Sequence, residues 1–208
     1  MATGSSAFFG GIAFSFGLVL VVIAGAELFT GNNLIVMAWA DKKITTAQLL
    51  RNWGLVYLAN FVGAGAAALL VHYSGVLQLG GGGVAKTAVN IASAKAQLPF
   101  AEALLRGLLC NALVCLAVWL CVAAHSVSGK ILAILLPVSA FVALGFEHSV
   151  ANMYFLPVGM LEGAAVTPAE LAKNLLSVTL GNIIGGSGFV ALVYWAVYLR
   201  KSGPARPL

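Results

Sequence analysis

Residues 45–63 read TTAQLLRNWGLVYLANFVG, and residues 167–185 read TPAELAKNLLSVTLGNIIG. Aligned without a gap, eight of the nineteen positions are identical: Thr45/Thr167, Ala47/Ala169, Leu49/Leu171, Asn52/Asn174, Val56/Val178, Leu58/Leu180, Asn60/Asn182 and Gly63/Gly185. Each stretch opens with Thr and carries Gln48 or Glu170 three residues on, the pattern of a capping box at a helix start. Pro168 stands at the first helical position, where its missing N–H costs nothing. A second match lies upstream of each stretch: Gly25-x-Glu27-x4-Asn32 parallels Gly145-x-Glu147-x4-Asn152.

The repeat sits in a membrane sequence. Of 208 residues, 61% are hydrophobic and 8% charged, and the mean hydropathy is +1.01. A soluble domain carries about 25% charged residues. Eleven basic and six acidic residues cannot cover a water-soluble globule of this size, which excludes a soluble enzyme, a nucleic-acid-binding module and a disordered tail. A bilayer crossing takes about 20 mostly apolar residues. Five stretches qualify: 8–29 (A), 53–77 (B), 99–124 (C), 131–161 (D) and 175–199 (E). Spans A and B recur as D and E, and span C precedes only the second copy. The unit is therefore three helices with the middle one broken. An odd number of crossings inserts the copies in opposite directions, an inverted repeat. The expected organisation is one transmembrane domain over 1–208: an incomplete first repeat, 8–77, and a second, inverted repeat, 99–199. The complete protein is expected to carry one more helix before Met1.

Lys42, Lys43, Arg51, Lys130, Arg200, Lys201 and Arg206 fall on one side of the membrane, against Lys86, Lys95 and Lys173 on the other. The positive-inside rule places the first side, with the C-terminus, in the cytoplasm. Trp39, Trp53, Trp119 and Trp195 lie near span ends on that side, as an interfacial belt would. Cys110, Cys115 and Cys121 share one apolar run and read as small packing residues. No metal-ligand cluster, HExxH or paired nucleophile and base occurs, so neither an enzyme nor a metal or other cofactor is expected.

The two broken spans carry the chemistry. Span A turns polar at GAELFTGNN, residues 25–33, and span D at GFEHSVANM, residues 145–153. Irregular backbone at membrane depth survives only inside protein or along a cavity. His148 lies in such a break and reads as a pathway residue, its ordinary pKa near neutrality suiting proton exchange. Glu27 and Glu147 read as carboxylates that accept backbone N–H groups and pin the breaks, with direct contact to the solute as the alternative. Asn32 and Asn152 either tie the breaks together or line the path. Asn60 and Asn182 read as helix-packing amides. Glu102 and Arg106, one turn apart, read as a pair, although a basic residue at that depth also suits an anion. Lys95 is either an electrostatic funnel or a snorkelling lysine. Phe14, Leu18, Phe29 and Phe141 read as core, with those flanking the breaks able to act as apolar gates.

At GAELFTGN, GFEHSVANM and LGNIIGG, the chain resembles the formate/nitrite transporter family, and the resemblance runs from Phe8 to Arg200. It implies an all-α polytopic membrane protein with aquaporin-like inverted three-helix repeats and two broken helices, of which five of six expected spans are present here. It also implies a homopentamer with one pore per protomer, embedded in lipid, in a cell membrane such as the bacterial inner membrane. The pores of the family pass small monovalent anions such as formate, nitrite and hydrosulfide. By the resemblance, His148 is the central histidine, Asn152 its neighbouring asparagine, Thr30 the loop threonine and Lys95 the entrance lysine. Phe14, Leu18, Phe29 and Phe141, with Val114 nearby, match the apolar constriction. Phe155-Leu-Pro157 points toward formate. The expected function is a formate channel or proton-coupled transporter, with nitrite or hydrosulfide, or a neutral solute, as the alternatives.

Overall fold

A computed structural model describes residues 4–200, with side chains from residue 8 onward. Among these residues the chain is all helical. The first copy begins with α1 (Gly4–Ala24), breaks, and resumes as a 3-10 turn (Gly31–Ile35) running into α2 (Val36–Ala40). Helix α3 (Thr46–Tyr73) follows. Next come α4 (Gly83–Ala96) and α5 (Phe100–Ala123). The second copy has α6 (Val127–Ala143), a break, α7 (Ser149–Leu161) and α8 (Pro168–Ile183), which continues in π-helical form over Ile184–Leu192 and Trp195–Leu199. Among the described residues three helices are long and apolar enough to cross a membrane: Thr46–Tyr73, Phe100–Ala123 and Pro168–Leu199. Large apolar side chains such as Phe16, Leu70, Val122, Leu136 and Val197 stand exposed over the outer surface. A water-soluble monomer does not show so much; a lipid-facing surface does.

Both capping boxes form, and with the same geometry. The Gln48 and Glu170 backbone N–H groups donate to Thr45 and Thr167 Oγ1, each at 3.2 Å, and the two side chains accept the cap N–H groups at 2.8 Å. Helix α1 packs along α6, and α5 lies between α6 and α8. Contact between α5 and α8 is close because Gly181 and Gly185 face the Leu104 and Leu108 carbonyls, where a Cβ would overlap backbone. That small-residue packing brings α8 amides within reach of the second break.

Three boundaries differ from the sequence reading. Span A does not end at 29: the membrane segment resumes through Ala40, and polar Gly31-Asn-Asn33 is its internal 3-10 turn. Its amides are satisfied inside the protein, so local polarity misled the boundary. Residues 83–96, read as a connection, form α4, whose buried Ala92 and Ala96 pack against α7. Alanine gives little hydropathy but allows close contact. Helix α3 spans Thr46–Tyr73 around the 53–77 apolar run, because it starts at the expected Thr45 cap, eight residues before that run, and ends four residues short of its end. Trp53 is half-buried, and its indole N–H donates to the Asn32 carbonyl at 3.1 Å.

Candidate functional site

Each break opens with a glycine at positive φ, Gly25 at 77° and Gly145 at 69°. Left-handed backbone there ends α1 and α6 without a Cβ penalty. One residue on, Ala26 N–H donates to Val21 O at 3.1 Å and Phe146 N–H to Phe141 O at 3.0 Å. The chain then runs non-helically to residue 30 in one copy and 148 in the other.

An amide clamp holds both breaks, and it repeats bond for bond. Asn32 Nδ2 donates to Glu27 Oε2 and, at 2.9 Å, to Asn52 Oδ1. Asn152 Nδ2 donates to Glu147 Oε2 at 2.7 Å and Asn174 Oδ1 at 2.8 Å. Asn60 accepts the Phe29 N–H at 3.0 Å and donates to the Glu27 carbonyl at 3.1 Å. Asn182 accepts the Ser149 N–H at 2.9 Å and donates to the Glu147 carbonyl at 3.0 Å. Two readings are corrected here. Glu27 and Glu147 pin the breaks through side-chain amides, not backbone N–H groups, because the asparagines stand between carboxylate and backbone. Asn60 and Asn182 do more than pack: each satisfies two backbone groups that the broken helix leaves free.

The breaks meet at Thr30 and His148. Both are buried, and Thr30 Oγ1 lies 3.0 Å from His148 Nε2. His148 also caps α7, its Nδ1 accepting the Ala151 N–H at 3.1 Å. The neutral ring that satisfies this bond carries its proton on Nε2, facing Thr30. The Thr30 carbonyl accepts from Asn111 Nδ2 at 3.2 Å and Cys115 Sγ at 3.4 Å. Asn111 Nδ2 further donates to the Asn182 carbonyl at 2.7 Å, tying the two breaks to α5 and α8.

His148 opens onto a cavity of about 420 Å³ lined by Phe14, Leu18, Leu28, Val114 and Phe141 among others. Its ring stacks on Phe141 at 6.1 Å between centroids and 14° between planes, and meets Phe14 edge-on at 6.3 Å. The lining pairs off at the repeat offset: Leu18 with Val138, Val21 with Phe141, Leu28 with His148. Residues at matched positions of both copies therefore line one cavity. Glu147 is the preceding residue, and the extended backbone at His148 sends the two side chains to opposite faces. Glu147 lines a separate vestibule of about 650 Å³ beside α4, together with Lys95, Arg106, Thr87 and Asn90. Lys95 Nζ is 2.9 Å from both Glu147 carboxylate oxygens, and the lysine is 17% exposed. It stands on the vestibule lining in a pair with Glu147 rather than as a free charge.

A family model for formate/nitrite transporters matches residues 1–196. The chain belongs to the formate/nitrite transporter family. It is 40% identical to the formate channel FocA of Escherichia coli K12, over 97% of this chain and 78% of that one. It is 46% identical to a probable formate transporter of Methanothermobacter thermautotrophicus, over 92% of this chain and 75% of the relative. Among solved structures, a pentameric formate channel with formate bound superposes with a TM-score of 0.86 at 35% identity, covering 96% of this chain and 86% of that one. These relatives are channels and transporters, not enzymes, and membership makes the chain a multi-pass membrane protein with the inverted-repeat fold.

Against that fold, His148, Phe14, Leu18, Val114 and Phe141 line the cavity, with Thr30 buried behind them on His148 Nε2, while Lys95 and Glu147 line the vestibule and Asn152 holds Glu147 from beneath. Phe29 does not join the cavity. Its ring packs edge-on against Trp53 and Tyr57, at 6.1 and 5.0 Å, and Leu28 takes the lining position. The break backbone alternates its side chains, so the two neighbours face apart. Leu28 was legible as the repeat partner of His148. Asn52 and Asn174 were legible as matched polar residues in apolar helices. Asn111 carried no such signal, since it lies on α5, which has no copy in the chain.

Proposed function

We propose that the protein conducts small monovalent anions, formate first, through one pathway per protomer of a homopentamer in a bacterial inner membrane, with its C-terminus in the cytoplasm. The pathway runs from the Lys95 vestibule past Asn152 and the Thr30–His148 pair, then through the apolar cavity. The observation that carries this reading is His148, held by Thr30 of the other break and lining a cavity bounded by Phe14, Leu18 and Phe141. The formate-binding relative and the formate channels among the similar sequences favour formate over nitrite and hydrosulfide.

A carboxylic acid with a pKa like that of Asp, about 3.9, is ionised at neutral pH. A bare anion is costly in a dry apolar passage. His148 Nε2–H offers the arriving carboxylate a hydrogen bond in exchange for Thr30. Proton coupling is the second reading. It requires His148 to take a proton on Nδ1, which displaces the Ala151 N–H and uncaps α7, and then to pass the Nε2 proton to formate. Protonated formate crosses as the neutral acid.

Liposome flux separates the two. Wild-type vesicles are expected to carry formate faster than nitrite, hydrosulfide or lactate. His148→Asn keeps a donor amide and removes titration. Under proton coupling, formate uptake by this variant loses its pH dependence near neutrality while assembly is unchanged. If His148→Asn retains wild-type, pH-dependent, proton-coupled uptake, His148 acts only as a hydrogen-bond donor and the relay fails. Osmotic water or glycerol flux without anion flux would overturn the anion reading.

A further inference from the structure

The vestibule holds two cations, and they are held very differently. Lys95 spends two of its three N–H donors on the two oxygens of Glu147, which Asn152 fixes in turn. Glu147 is 4% exposed, so this pair does not readily exchange partners. Arg106 lies on α5, on the wall of the same vestibule. Among the described residues its side chain makes one hydrogen bond, Nη2 to Glu102 Oε2 at 3.1 Å, which uses one of the five guanidinium N–H groups. The Arg106 side chain is 34% exposed and the Glu102 side chain 55%. A pair so open to solvent contributes little and opens easily. Glu102 is also the chemical likeness of a small carboxylate: the same head group, on the same fork.

We propose that Arg106 is the anion-receiving cation of the vestibule, and that Glu102 is its displaceable resident carboxylate. The inference rests on the anion-conduction reading above. An incoming monovalent carboxylate replaces Glu102 on the guanidinium, where a planar fork accepts it with two parallel hydrogen bonds. The anion then stands in the chamber whose floor is Lys95 and Glu147, one residue from His148. The backbone at Arg106 also holds the break, its carbonyl accepting the Glu147 N–H at 3.2 Å, and side-chain substitutions leave that bond in place.

The test is formate flux into liposomes at low ionic strength, read as the half-saturating concentration and maximal rate of wild type, Arg106→Gln, Arg106→Lys and Glu102→Gln. Pentamer size and melting temperature are measured alongside. Arg106→Gln is expected to raise the half-saturating concentration about fivefold with the maximal rate nearly held, and Arg106→Lys to recover part of it. Glu102→Gln is expected to lower it, because the competing carboxylate is gone. These opposite signs separate capture from a structural ion pair, whose two halves would shift flux the same way. An unmoved Arg106→Gln, or equal shifts of one sign in both variants, overturns the proposal. If Arg106→Gln fails to assemble, Glu102→Gln decides alone, since it leaves the cation in place. Wild-type vesicles that carry no small anion overturn the conduction reading itself, whereas normal wild-type flux with the wrong variant pattern overturns only the role of Arg106.

Discussion

The two breaks share one clamp and differ in what surrounds it. In both, a glutamate, two asparagines and a helix asparagine hold a non-helical segment between half-helices. Yet Glu27 is exposed, while Glu147 is buried against Lys95. The Asn174 amide also reaches the Lys95 carbonyl at 2.8 Å, locking α4 to the second clamp. On the first side, the Trp53 indole secures the Asn32 carbonyl instead. The chemistry separates as well. Where the second copy presents His148, the first presents Leu28; where the first presents Thr30, the second presents Val150. One clamp builds the geometry twice, and each copy contributes one half of the polar pair. Duplication supplied the scaffold, and divergence at two positions supplied the site.

The largest expected contrast lies in the carboxylates. Glu147→Ala strands Lys95 beside a buried floor, and removing one member of a buried pair costs about 3 kcal/mol or more. Glu27→Ala removes an exposed acceptor from Asn32, which keeps Asn52, and should cost about 1 kcal/mol or less. Thermal unfolding of the two variants in one detergent makes the comparison. Equal losses would mean that the second clamp gains nothing from its burial.

Next come the helix amides. Asn182 is fully buried and bonds Ser149 N–H, the Glu147 carbonyl and, at 2.8 Å, the Gly107 carbonyl. Asn60 is only half-buried and makes the first two kinds of bond alone. Each buried group left without a partner costs about 1–3 kcal/mol. Asn182→Ala should therefore destabilise by roughly 1–2 kcal/mol more than Asn60→Ala. Protease resistance of the two breaks gives a second readout, with cleavage near 145–148 rising in the first variant and near 25–30 in the second. Matching losses would put the third bond, to Gly107, at no energetic consequence.

Much of this was legible in the residues, for a definite reason. A repeat leaves its polar residues at matched spacing, and polar residues in apolar spans are few enough to align by eye. Gly25/Gly145, Glu27/Glu147, Asn32/Asn152 and the two capping boxes were all readable that way, and so was the inverted, broken architecture. What was not legible lies between elements. Helix α4 is built from alanine and packs by closeness rather than hydropathy. The Lys95–Glu147 pair joins residues 52 apart through a helix the hydropathy did not show. Phe29 and Leu28 are both apolar beside a break, and only the direction of the backbone decides which one lines the cavity.

The smallest expected effect is a difference of zero, and it calibrates the others. Thr45 and Thr167 cap α3 and α8 with the same bonds at the same lengths, 3.2 Å from the helix N–H and 2.8 Å into the Gln48 or Glu170 side chain. Both lie at the ends of their helices, away from the breaks, and both are exposed. Replacing either by Ala removes one cap and should cost about 1 kcal/mol. Pro168 makes none of the hydrogen bonds of the Thr167 cap: its ring fixes its own φ and it has no N–H to satisfy, and it is present both with Thr167 and in its Ala variant. Thr45→Ala and Thr167→Ala are therefore expected to lower thermal stability equally, to within about 0.5 kcal/mol, and to add when combined, being far apart. A clear excess in one copy would place the asymmetry of the two repeats in their helices as a whole. Equal losses would confine it to the breaks, where the carboxylate and amide variants locate it.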